Sequence, residues 1–136
     1  MPVVLDASVA LAWLLPDEAS EAADALANRI ADDAAVVPAI WTLEIGNALL
    51  TAERRGRISR KERERCVDLL SAIPIAIDTP VPLAKLSDLA KLAADHELTM
   101  YDASYLLLAR DRGLVLATID QRMRKAASKL RIGVLP

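Results

Sequence analysis

No phenylalanine occurs among the 136 residues, aromatic side chains amount to 3%, and there is a single cysteine and a single histidine. Cys66 alone cannot close an internal disulfide, and no cysteine or histidine stands beside it at metal-ligand spacing, so a disulfide scaffold and a zinc site are both excluded. With only 4 glycines and 7 prolines the chain is neither collagenous nor of low complexity, and 54% apolar with 26% charged residues excludes disorder. No apolar run approaches the ~18 residues that a membrane helix needs, because Asp6 splits the longest candidate. The N-terminus also lacks the basic flank and cleavable end of a signal peptide. The expectation is a soluble, cytoplasmic globule with no membrane contact, residues 1–136 forming one domain.

The net charge of -2 hides strong local imbalance. Residues 1–52 hold eight acids and one base, and residues 53–65 hold seven bases and three acids. Residues 66–109 are acidic again, and 110–136 carry seven bases against two acids. Basic segments of this kind offer a polyanion local attraction without a basic isoelectric point.

Short apolar runs alternate with helical patterns along the chain. Val3–Leu5, Ala35–Val37, Ile75–Ile77, Leu114–Ala117 and Ile132–Leu135 are each short and rich in branched residues, the mark of buried strands. Between them lie a helical stretch ended by Pro16 and an amphipathic helix over Glu18–Ala31. A helix over Thr42–Arg55 follows, with Gly56 at its C-terminus, and another opens at the Ser59-x-x-Glu62 capping box. Later helices run through Leu83–Ala93, over Tyr101–Arg112 to Gly113, and over Gln121–Leu130. Apolar strands alternating with helices predict a three-layer α/β/α sandwich with a five-stranded parallel sheet. Right-handed crossovers put the strand C-termini on one edge, where ligands of such sheets bind.

Four acids gather at that edge or near it. Asp6 ends the first strand and Asp120 follows the fourth, so topology places both. Glu44 opens the helix after the second strand, and Asp102 opens the helix before the fourth; topology does not fix where along the edge they fall. Each has a plain alternative as a helix cap, a capping-box partner or a charge favoured by the helix dipole. Caps do not explain why the acids recur beside apolar strand ends with the polar companions Ser8, Asn47 and Thr118. Four carboxylates in one pocket raise one another's pKa, a conflict that a divalent cation removes. Oxygen-only donors suit a hard ion, Mg²⁺ or Mn²⁺, and such a site suits phosphodiester hydrolysis.

VVLDAS at the start, LEIGNALL after the second strand, TMYDASYLLLAR in a late helix and LATID after the fourth strand together resemble the PIN-domain ribonucleases. Their size and spacing most resemble the VapC-type toxins of toxin–antitoxin modules. The resemblance implies that Asp6, Glu44, Asp102 and Asp120 form the acidic metal-binding site, with Ser8, Thr118 and Asn47 as polar neighbours. It implies Mg²⁺- or Mn²⁺-dependent endonucleolytic cleavage of RNA, inhibition of translation, a cognate antitoxin protein and a homodimer. Within that set, Asp6 and Asp102 are expected to bind the metal directly, Asp120 to complete the shell, and Glu44 to orient the attacking water.

Other features leave alternatives open. The basic segment 53–65, with Arg54 and Arg55, is a candidate RNA or antitoxin contact or simply a solvated helix face. Arg122, Arg124 and Lys125 follow Asp120 closely and are candidate RNA contacts. Trp13 and Trp41 suit the core or an interface better than base stacking. Cys66 suits the core, and His96 a helix end on the surface. An aspartyl-phosphate chemistry at Asp6 is the competing enzymatic account, but Ser8 stands where a dehalogenase-type site would want a second aspartate. A non-toxin PIN nuclease and a non-catalytic PIN-like binding module are the remaining alternatives.

Overall fold

A computed structural model describes residues 1–136. The strands are β1 (Val3–Leu5), β2 (Ala35–Val37), β3 (Ile75–Ile77), β4 (Leu116–Ala117) and β5 (Val134–Leu135). They form one sheet in the order β3-β2-β1-β4-β5, with every neighbouring pair parallel. The helices are α1 (Ala7–Leu14), α2 (Glu21–Asp33), α3 (Trp41–Arg54), α4 (Arg60–Ser71), α5 (Leu86–Asp95), α6 (Met100–Arg112) and α7 (Gln121–Lys129).

That strand order determines the layers. The chain moves from β1 to β2 to β3 in one direction, returns across the sheet to β4, and continues to β5. Right-handed crossovers therefore put α1–α4 on one face and α5–α7 on the other. The packing agrees, with α1 against α2 and α3 on one side and α6 against α5 and α7 on the other. This is the expected three-layer sandwich. Between β1 and β4 the winding direction reverses, and that switch point opens a crevice at the strand C-termini.

Val3, Val4, Leu5, Val37, Leu116 and Ala117 lose all solvent contact, which is why these strands read as unbroken apolar runs. In α6 the consecutive residues Ala103–Ala109 are all buried, so this helix is enclosed rather than one-sided. Cys66 is buried, as expected, its thiol pushed up by desolvation. Trp41 is buried, and Trp13 donates from Nε1 to the Ala23 carbonyl at 2.7 Å.

Several boundaries differ from expectation. Pro16–Glu18 form a 3-10 turn, and α2 begins at Glu21 because the Ser20 hydroxyl accepts from Ala23 N at 3.2 Å and caps it there. The fourth and fifth strands start two residues later than their apolar runs. Leu114 N bonds Ala109 O and Ile132 N bonds Ala127 O, so both residues close the preceding helix instead of opening a strand.

Candidate active site

Asp6 leaves β1 at the switch point. Its backbone N–H donates to Ala117 O of β4 at 3.0 Å, and its side chain makes no cap hydrogen bond to α1. The carboxylate turns across the crevice instead. Its Oδ2 accepts from Ser8 Oγ at 2.8 Å and from Thr118 Oγ1 at 2.6 Å. Oδ1 takes no protein hydrogen bond. Asp6 is 6% exposed, and the only other buried polar residues are Ser104 and the fully buried Thr118. Two of the three buried polar residues thus meet at one point.

Thr118 joins the two strand ends. While its hydroxyl donates to Asp6, the same Oγ1 accepts from Asp120 N at 3.1 Å. Asp120 itself caps α7, accepting from Arg122 N at 2.9 Å and Met123 N at 3.4 Å. The structural role expected as an alternative for Asp120 is therefore present, through one of its two oxygens. Asp102 sits in the first turn of α6, where Thr99 Oγ1 accepts from its backbone N–H at 3.0 Å. Glu44 lies in the first turn of α3 and accepts a 2.6 Å hydrogen bond from Tyr105 Oη of α6.

The acids sense one another. Burial pushes the Asp6 carboxyl up; its two hydroxyl donors offset part of this, and the charges of Asp102 and Asp120 raise it further. Burial also raises Glu44, against the Tyr105 hydrogen bond and with help from Asp6 and Asp102. Asp102 is raised by burial and then by Asp120, while Arg122 pulls it down. Burial drives the Tyr105 phenol far above its ordinary range, so it remains a donor to Glu44. Acids from β1, α3, α6 and the β4–α7 junction therefore share one electrostatic neighbourhood.

No three Asp, Glu, His or Cys side chains close into a ready coordination shell. The donor set nevertheless suits a hard divalent cation. It consists of oxygen atoms alone, and Asp6 is held in place through one oxygen while the other stays free. Burial, and after it their mutual repulsion, disfavours the charged carboxylates, a cost that a bound cation would offset. The carboxylates that would supply those oxygens are Asp6, Glu44, Asp102 and Asp120.

The remaining sequence candidates scatter. Asn47 is exposed one turn beyond Glu44 and makes no side-chain hydrogen bond. Arg54 and Arg55 are exposed at the far end of α3, about 15 Å along the axis from Glu44. In the basic segment, Arg57 pairs with Asp17 at 2.7 Å and Glu18 at 3.3 Å, Arg60 with Glu64 at 3.7 Å, and Arg63 with Glu53. Arg122 and Lys125 are exposed on α7. Arg124 is occupied, donating to Thr118 O at 3.0 Å and Pro136 O at 2.8 Å, so it braces the strand ends rather than standing free for a ligand. Tyr105 was not foreseen. Its signal was its position three residues after Asp102 on α6, inside a run of otherwise aliphatic side chains.

A parallel sheet carrying an all-oxygen acidic cluster at its switch point defines a class of compact α/β domains built for polyanion or metal chemistry. Within that class the chain belongs to the PIN domain family, whose model matches residues 3–129. It is 30% identical over 123 residues to Ribonuclease VapC3 of Pyrobaculum aerophilum, spanning 90% of this chain and 92% of that protein. It is also 36% identical over 81 residues to Exonuclease VapC9 of the same organism, spanning 59% of this chain and 57% of that protein. The crystal structure of PAE2754 from Pyrobaculum aerophilum superposes with a TM-score of 0.70 at 25% identity, covering 93% of this chain and 84% of that one.

Proposed function

We propose that this protein is a divalent-metal-dependent endoribonuclease and the toxin of a toxin–antitoxin module. The carrying observation is Asp6: a buried carboxylate at the switch point that caps nothing and is held by two hydroxyls toward three other acids. The names of the VapC3 and VapC9 relatives support nuclease action and the toxin assignment. Asp6 and Asp102 would hold Mg²⁺ or Mn²⁺, with Asp120 completing the set, and such an ion would supply Lewis-acid polarisation of a phosphoryl oxygen and a lowered pKa for a water. Glu44, fixed by Tyr105, would orient that water and accept its proton as it attacks phosphorus, while the bridging P–O bond breaks and the leaving ribose oxygen takes a proton from solvent. Thr118 and Ser8 keep Asp6 in its orientation, so the ion's position is set before substrate arrives.

Cleavage of RNA accounts for inhibition of translation, and a cognate antitoxin restrains it. The experiment is incubation of the purified protein with total RNA in Mg²⁺, Mn²⁺ or EDTA, together with a circular RNA that has no ends. We expect metal-dependent cuts in both substrates, and Asp6→Asn to lose at least about 100-fold in rate with an unchanged circular-dichroism spectrum. Cleavage that persists in EDTA, or full activity of Asp6→Asn, overturns the mechanism; digestion of linear RNA alone makes the enzyme an exonuclease, as one relative is named.

A further inference from the structure

Beside the acidic centre lies a second, wholly different recess. A cleft of about 470 Å³ runs between α7 and the turn joining α5 to α6, within the ~300–1,000 Å³ range of small-ligand sites. One wall carries Arg122, Lys125 and Lys129, and the other carries Asp95, His96 and Glu97. The three bases fall at i, i+3 and i+7 along one exposed stripe of α7, with buried Ala126 lining the cleft beside them. They extend about 10 Å along the helix axis. None of the three forms an ion pair, whereas Arg57, Arg60 and Arg63 all do. None of the four acids lines the cleft; it adjoins the acidic centre through Arg122, which follows Asp120 by two residues and whose charge lowers the Asp102 carboxyl.

The facing wall is of a different kind. Asp95 is neutralised by Lys91 at 2.6 Å. Glu97 is exposed and unpaired, and it occupies the left-handed turn residue of the α5 C-terminus, φ 54°, which projects it from the helix line. Cations on one side and a free carboxylate on the other match the two halves of a nucleotide: an anionic phosphate, and a base edge bearing N–H donors.

We propose that this cleft is a nucleotide subsite for the residue of RNA adjoining the cut bond. Arg122, Lys125 and Lys129 hold its backbone phosphate, and Glu97 accepts from the base edge, with His96 beside it. A carboxylate fits guanine best, since N1–H and the 2-amino group present two parallel donors. The inference rests on the ribonuclease reading for its substrate, but the site is tested separately by binding.

The probes are fluorescent U-tract decaribonucleotides with a single central guanosine, adenosine or cytidine. Anisotropy is measured in EDTA over a range of salt, and cleavage is mapped in Mn²⁺. We expect the guanosine oligomer to bind tightest, and Glu97→Gln to abolish that preference. The Lys125→Ala/Lys129→Ala double variant should weaken all three oligomers alike, reducing the salt slope by up to about 0.7, the value for one phosphate contact on a single strand. Arg29→Ala, which removes a charge on α2 away from the cleft, should leave binding unchanged. Equal binding of the three oligomers, or a double variant indistinguishable from Arg29→Ala, overturns the subsite. Selective binding without cleavage upholds the subsite and defeats the nuclease reading, whereas cleavage indifferent to these variants does the reverse. Absence of both defeats both.

Discussion

Thr118 does more at the site than any sequence pattern for a catalytic acid reveals. It has no solvent exposure, it donates to Asp6, and it accepts from the Asp120 backbone. Thr118→Val keeps the shape and removes both interactions, leaving the partly buried Asp120 N–H without a partner and the buried Asp6 Oδ2 short of one. A loss of about 1–3 kcal/mol is expected in urea unfolding, with activity lost beyond what reduced folding explains. Ser8→Ala should cost less, because Ser8 is only partly buried and Thr118 still holds the same oxygen. The acids themselves carry a cost that can be measured without substrate. Asp6, Glu44 and Asp102 are raised in the folded protein, so folding takes up protons between the unfolded carboxyl range near pH ~4 and their higher folded values. Metal-free stability should therefore fall as pH rises through that window. Asp17 is lowered by Arg57, and its contribution is lost only in more acidic solution. In differential scanning fluorimetry, Mg²⁺ or Mn²⁺ should raise Tm more at pH 7.5 than at pH 5, and Asp102→Asn should raise the metal-free Tm while shrinking the metal increment. A metal effect independent of pH would contradict this account.

Among elements, α6 couples structure to chemistry. Its N-terminal turn carries Asp102, its second turn carries Tyr105, and the stretch Ala103–Ala109 is enclosed throughout. Tyr105 Oη reaches across to Glu44 on α3, tying together two helices that lie on opposite faces of the sheet. Tyr105→Phe should cost about 1 kcal/mol and should lower kcat more than it alters KM, because Glu44 loses its orientation while the substrate contacts remain; an unchanged kcat would show that Glu44 needs no such restraint. The strands and helices themselves were legible because each local signal agreed with the fold: Ser59 and Thr99 accept from the N–H groups three residues on, and Gly56 and Gly113 adopt positive φ at helix ends. Illegible were Glu97 and Arg131, which adopt positive φ without being glycine and end α5 and α7 in the same manner. Such a conformation costs a non-glycine residue roughly 1 kcal/mol, so composition does not signal it. The site was half legible for a similar reason. Asp6 and Asp120 follow from strand ends, whereas the approach of Glu44 and Asp102 depends on how α3 and α6 close over the switch point. Arg124 read as a free cation because nothing local shows that the returning C-terminal strand meets it.

At the scale of the whole molecule, apolar surface is unevenly distributed. β3 lies at the edge of the sheet with Ile77 58% exposed, and close by are Val81, Leu86, Tyr101 and Leu83, the last 87% exposed. A groove of about 630 Å³ beside them is bounded by Pro80, Val81, Pro82, Leu89, Met100 and Leu107. Two ion pairs, Asp78 with Arg112 at 2.5 Å and Lys85 with Asp111 at 3.0 Å, clasp the connecting loop over α6 and hold this face in shape. Edge strands and apolar patches of this kind are liabilities unless covered, and the homodimer expected from the sequence resemblance would cover this one. The protein is then expected to sediment as a dimer, and Leu83→Asp to shift it toward the monomer by at least about tenfold in dissociation constant, since a buried charge of ~1.4 kcal/mol or more opposes association. Leu83 makes no part of the acidic centre, so the monomeric variant should still bind Mn²⁺. Sedimentation velocity decides the matter: a dimer indifferent to Leu83→Asp places the self-association elsewhere and leaves this face to a different protein partner.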